Sequence, residues 1–290
     1  MSTATLILVA VQLSLVLMVF SIGLGAAVGD VTYLLRQPKL LIRSLLSLNV
    51  VMPLFAVALA KSFDFTPLVK AALVLLAVSP LPPIFPKKSQ KAGGRFSYAI
   101  GLLVAATVVS IFFIPLAMKL LGRAFDLPLE MSPGRVVTLV LWTLLLPLAA
   151  GVAVHALSPA FAGRAGPPIG KVGGILLLLG LVPILVKVWP AMMTLIGNGT
   201  LLAMVVFALV GLAAGHLLGG PDPEDRIVLA LSTATRHPGI AIAIAQVNFP
   251  GEKLAAGAVL LYLLVSAVVA IPYMKWTRRP RAPEPLPATA

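Results

Sequence analysis

Nine apolar runs of about twenty residues, set apart by short polar connections, leave this chain few ways to fold. They lie at 4–29, 39–61, 69–86, 96–121, 135–157, 172–197, 200–219, 227–247 and 254–274. A helix rises about 1.5 Å per residue, so roughly twenty residues cross a hydrocarbon core of about 30 Å. Inside that core every backbone amide and carbonyl must find a partner within the segment, which selects helices over strands. The pattern predicts an all-α polytopic membrane protein. Composition agrees: only 11% of residues are charged and mean hydropathy is +1.06, against about 25% charged in soluble domains. Residues 1–275 read as one transmembrane domain, and the basic, Pro-rich 276–290 as a disordered tail at anionic lipid headgroups.

The net charge of +13 would suggest nucleic acid in a soluble chain. Here the basic residues gather at the ends of runs, so the charge sets topology and no nucleic-acid partner is expected. Across alternate connections fourteen basic residues fall on one side and seven on the other; Arg236 completes the 22. The richer side should be cytoplasmic, with the N-terminus outside and the C-terminus inside a plasma (inner) membrane. An even number of spans would break that alternation. The absence of cysteine removes disulfides, thiolate metal sites and cysteine nucleophiles. No basic residue precedes the first run, which is also too long for a signal-peptide core, so it reads as retained.

One run departs from an apolar interior. Ser232-Thr233-Ala234-Thr235-Arg236-His237-Pro238-Gly239 sits in the middle of 227–247. An arginine at the centre of a span costs roughly 2.5–3.5 kcal/mol on insertion scales. The guanidinium should therefore face protein or a water-filled cavity, not lipid. Pro238 removes a backbone donor and Gly239 loosens the helix. A charge beside a broken helix at mid-depth is how secondary transporters build binding sites. The alternative is a re-entrant segment whose arginine snorkels to the surface. Ser232, Thr233 and Thr235 can offer hydroxyls to a substrate, or bond their own helix as span hydroxyls commonly do. His237 can titrate near neutral pH, or cap a free carbonyl at the break, the more ordinary role.

A second interruption lies in the third run, at Ser79-Pro80-Leu81-Pro82-Pro83-Ile84-Phe85-Pro86. Pro80, Pro82, Pro83 and Pro86 cannot continue a helix. Pro82 and Pro86 each free an upstream carbonyl to line a cavity, unless the run ends there and Lys87 and Lys88 begin a loop. Asn49 and Pro53 add a polar group and a kink to the second run. The Gly/Pro-rich stretch 158–171 reads as a connector between halves. Both interruptions are third in a set of four, runs one to four and six to nine, and the two sets start on opposite sides. That is the topology of an inverted repeat with a site between the breaks.

Phe20-Ser21-Ile22-Gly23-Leu24-Gly25, Asp30, Arg36-Gln37-Pro38-Lys39, Met52-Pro53-Leu54, Ala77-Val78-Ser79-Pro80 and Ser232 to Ala245 occur in an order that resembles the bile acid:sodium symporter family. The resemblance covers nearly the whole chain. It implies a panel and a core domain, two crossed discontinuous helices and alternating access, in a nine-span form. It also exposes departures. Where the family's first crossing motif reads Cys/Ser-Pro-Gly-Gly-Thr-Ala-Ser-Asn, this chain has Ser79 to Pro86, so the family's sodium-ligating Ser and Asn fall on Phe85 and Pro86. The family's acidic ligand falls on Ser232, one Gln ligand on Arg236 and another near Leu48.

Sodium needs several hard oxygen ligands, usually with a carboxylate among them. All nine acidic residues lie outside the apolar runs, and an arginine stays protonated at physiological pH. Two roles stay open for Arg236. It can stand in the place of sodium as a tethered cation fixing the crossed helices. It can instead hold the carboxylate or sulfonate of an anionic substrate in a bidentate pair. The expected function is a secondary transporter of a small organic anion, independent of sodium, with Arg236, His237, Thr233, Thr235, Ser232 and Asn49 as candidate substrate contacts. The rivals are a sodium or proton symporter using carbonyls freed by the prolines, and a non-transporting sensor or scaffold of the same fold. An enzyme is not expected, since the runs hold no paired carboxylates, metal-ligand cluster or Ser-His-Asp set. No cofactor, metal or obligate protein partner is expected; the partners are the anion and membrane lipid.

Overall fold

The computed structural model describes residues 3–126, 129–197 and 199–278. The tail expected to be disordered lies mostly outside them. Helix α1 (Thr3–Leu24) leads through α2 (Val28–Val31) and a 3-10 turn at Tyr33–Arg36 into α3 (Pro38–Leu46). A π-turn at Ser47–Val51 joins α3 to α4 (Met52–Ser62). Next come α5 (Pro67–Val78), α6 (Phe85–Lys91) and the long α7 (Phe96–Phe125). Another π-turn, Leu141–Leu145, joins α8 (Pro133–Val140) to α9 (Leu146–Leu157). The chain ends with α10 (Pro159–Met193), α11 (Thr200–Leu218), α12 (Pro223–Ala234), α13 (Pro238–Asn248) and α14 (Lys253–Thr277).

Among the described residues eight helical stretches are long and apolar enough to cross a membrane. The third run accounts for the difference from nine. It is not one helix: α5 has 12 residues and stops at Val78. Twelve residues rise about 18 Å, short of a core of about 30 Å. The eighth run, Pro223–Asn248, is also two helices, α12 and α13, parted at Thr235 to His237. The prolines explain where the breaks fall. Pro238 and Pro86 stand in the first turn of α13 and α6, where a missing amide costs nothing. Pro238 thus starts a helix instead of disrupting one.

The stretch 158–171, expected as a connector, is helical. A single residue, Ser158, separates α9 from the 35-residue α10, which holds Pro167 and Pro168 inside it. These prolines free the carbonyls of Gly163 and Arg164, and all four residues are exposed, where water can supply the missing donors.

Helices α1, α9 and α10 pack together as one group. In the other group α5 lies along α13 and α14, and α6 along α7 and α12. Each half of one broken helix thus lies against a half of the other. Helix α11 lies directly on α12, and three glycines four residues apart make this possible. A Cβ at Gly211 would sit 2.9 Å from the Ala234 Cα, one at Gly215 2.3 Å from the Leu229 carbonyl, and one at Gly219 2.5 Å from the Arg226 Cα. Small residues at that spacing let membrane helices meet backbone to backbone. The most apolar stretch of the broken span Pro223–Asn248 is accordingly the most enclosed, with 78% of its residues buried, against 11% in that of Pro159–Met193. The most polar span faces protein, and the long apolar one is free to face lipid.

Candidate functional site

The two breaks touch. The His237 amide donates to the Pro80 carbonyl at 3.0 Å, and the His237 ring accepts from the Ile240 amide at 3.3 Å, capping α13. A ring nitrogen in that role carries no proton. The histidine therefore caps an amide, where a carbonyl was expected.

Arg236 lies between the breaks and is only 3% exposed. One terminal nitrogen donates to the Ser79 carbonyl and the other to the Leu48 carbonyl, each at 3.4 Å. Its Nε has no partner among the described residues. The same residues show ion pairs only at Arg95, which meets Asp222, Glu224 and Asp225 at the start of α12. Its hydrogen bond to Asp225 raises the Arg95 pKa above the ordinary arginine value. A charge enclosed without a counter-ion survives where dipoles replace its water. Here the dipoles are backbone carbonyls, and prolines have freed them.

Each freed carbonyl has its own cause. In a continuous helix Ser79 would bond to the amide of residue 83, but residue 83 is proline. Leu48 loses its partner twice over. The π-turn sends the Met52 amide to Ser47, and the next residue along is Pro53, which has no amide hydrogen. Ala234 is freed by Pro238, and there the donor is Tyr262 of α14, whose hydroxyl meets that carbonyl at 2.7 Å. Leu76, freed by Pro80, is taken by the Ser79 hydroxyl at 2.8 Å. Two donors, Arg236 and Tyr262, thus answer three carbonyls freed on three different spans.

The other residues expected at the site divide. Ser232 and Thr233 both donate to the Leu229 carbonyl of their own helix at 2.8 Å. Because Thr233 uses its proton there, Ser47 is the donor in the 2.8 Å bond between the two hydroxyls, tying the π-turn to α12. Thr235 accepts from the Lys88 ammonium at 3.4 Å. Asn49 is half-buried, and its side chain has no hydrogen-bond partner among the described residues. Pro82 and Pro83 are buried in the turn between α5 and α6.

Sequence reasoning missed Ser47, Tyr262 and Lys88. Lys88 stood out only as a possible start of a loop, yet α6 brings its ammonium to the Thr235 hydroxyl. For Tyr262 nothing in a sequence marks which distant hydroxyl reaches a carbonyl. The Leu48 carbonyl did leave a trace, a proline five residues downstream.

A family model described as the sodium bile acid symporter family matches residues 12–195. The match ends before α11, so the break at Arg236 lies beyond it. Curated proteins similar to the chain include a sodium-dependent organic anion transporter of Rattus norvegicus, 27% identical over 254 residues, covering 86% of this chain and 67% of that protein. A protein of the same name from Bos taurus is 25% identical over 246 residues, 82% of this chain and 64% of its own length. The chain thus spans about two thirds of the length of the curated relatives it matches.

Proposed function

The chain belongs to the sodium bile acid symporter family, and from that premise we propose that it is a secondary transporter of a small organic anion working by alternating access without sodium. In this reading residues 1–275 form a nine-span unit in a plasma membrane, with the lysine-rich side cytoplasmic. Helices α1 and α8 to α10 are the panel and the remainder is the core.

The observation that carries the sodium-free reading is the Arg236 guanidinium, enclosed between the breaks and bonded to the carbonyls of Ser79 and Leu48. These are hard oxygens of the kind a metal cation takes. An arginine already supplies the positive charge there, and a sodium ion beside it would be repelled. The same bonds argue against Arg236 as the substrate's own partner, since an anion would have to displace both carbonyls. The nearby cation with donors to spare is Lys88, held among the described residues only by a threonine hydroxyl. We assign it the substrate's carboxylate or sulfonate, with Thr235 beside it.

The test is a thermal-shift and uptake pair. Purified protein should melt at the same temperature in sodium chloride and in choline chloride. In liposomes, uptake of those carboxylates and sulfonates that raise the melting temperature should be equal in the two salts. Stabilisation by sodium, or uptake lost in choline, would overturn the sodium-free reading and leave the symporter. A screen in which no anion stabilises the protein would point to the sensor or scaffold.

A further inference from the structure

A second group of cations faces a crevice away from the crossing. The crevice holds about 470 Å³ between α1, α6, α7 and α10, and Ser21, Lys87, Gln90, Lys91, Gly163 and Gly166 are among its walls. No carboxylate is among its described lining residues. Lys87 and Lys91 stand four residues apart on α6, on the same face of the helix. The Lys87 ammonium reaches across to the Ser21 hydroxyl of α1 at 2.9 Å, and Ser21 passes its proton to the Gly166 carbonyl of α10 at 2.8 Å. A glycine makes the crossing possible: a Cβ at Gly170 would lie 2.4 Å from both the Lys87 nitrogen and the Ser21 oxygen. This chain of bonds straps one helix group to the other on the lysine-rich side.

The strap is unbalanced in charge. An ammonium has three donors, and among the described residues the one side chain meeting it is a neutral hydroxyl that already gives its proton elsewhere. Lys91, exposed at the rim, has no partner among the described residues. Two like charges beside an open cavity repel each other unless an anion sits between them, and charge-assisted bonds to an oxyanion are stronger than a lysine–hydroxyl bond. We propose that this crevice is an anion-binding site in which an oxyanion headgroup bridges Lys87 and Lys91. By drawing Lys87 away from Ser21, the headgroup releases the strap between the two helix groups. The oxyanion is a phosphate or carboxylate on an organic body, arriving either as a free organic anion or as the headgroup of an anionic phospholipid. The site rests on the two helix groups moving apart during transport, and is independent of Arg236 replacing sodium.

The test reads distance, not transport. With no native cysteine to interfere, spin labels go on Lys275→Cys of α14, whose end is tied to the end of α6 by the Thr277–Ala92 bond, and Phe161→Cys of α10, both exposed and neither a wall of the crevice. The protein is held in nanodiscs of phosphatidylcholine. Adding millimolar glycerol phosphate, or replacing part of the lipid with phosphatidylglycerol, should shift the label distances to longer values. A response to glycerol phosphate alone identifies a free anion, and a response to phosphatidylglycerol alone a lipid headgroup; either supports the site. Lys87→Gln should show the long distances without any anion and lose the response. Ser21→Ala keeps both lysines and guards against misfolding: it should lengthen the distances by itself and bind glycerol phosphate several-fold more tightly. Unchanged distances under both anions, or a Ser21→Ala protein with wild-type distances and affinity, would overturn the proposal. Neither result bears on the sodium and choline comparison.

Discussion

Arg236 shows how a single residue can turn a costly position into a structural one. Its charge would be prohibitive against lipid, but the prolines at 53 and 83 have left two carbonyls with no amide to meet. Arg236→Ala leaves both unpaired and opens a void, so a loss of about 2–4 kcal/mol is expected, read as a lower melting temperature. Millimolar guanidinium should restore part of that loss by refilling the void with the same donors. If the alanine variant melts like the wild type, Arg236 is not a tether. Tyr262→Phe makes a narrower cut. It removes the donor to the Ala234 carbonyl alone and should cost about 1–2 kcal/mol. A stability equal to wild type would mean another group takes that carbonyl.

At the level of the element, α12 can carry polar residues because α11 shields it at backbone range. Gly215→Ala tests this directly. The added methyl would sit 2.3 Å from the Leu229 carbonyl, so α12 must shift, displacing the helix that bears Thr233 and leads into Arg236. A loss of about 1–3 kcal/mol is expected, the usual cost of overpacking. Gly174→Ala on α10, with open space around it, is the control and should be neutral. Equal melting temperatures for the two variants would show that the α11–α12 contact is looser than the backbone positions imply.

Across the whole molecule the two helix groups meet along several seams. One contact is the Lys87–Ser21 strap. Another joins α10 to α14, where a Cβ at Gly257 would lie 3.6 Å from the Ala191 Cβ. That separation suits a disulfide. The double variant Ala191→Cys, Gly257→Cys should therefore oxidise readily. If the groups must part here in each cycle, uptake should stop on oxidation and return with a reductant. Full uptake by the oxidised protein would mean that this seam stays closed throughout transport.

The apolar runs and proline positions alone determined a helical membrane protein, the site of both interruptions and the singular place of Arg236, because hydrocarbon admits so few backbones and proline deletes an amide wherever it falls. The order of motifs carried the family as well. Tertiary structure decided what the freed groups meet. The sequence shows that Ser79, Leu48 and Ala234 lose or can lose their partners, but Tyr262 is 28 residues from Ala234 and Leu48 is 188 from Arg236. Separations of that size carry no local signal. The same holds for the helical course of 158–171, which looked like a linker until packing against α1 and exposed carbonyls offset two prolines. It holds too for Lys88, where a charge that could have marked a boundary is brought to Thr235 by the packing of α6 against α12.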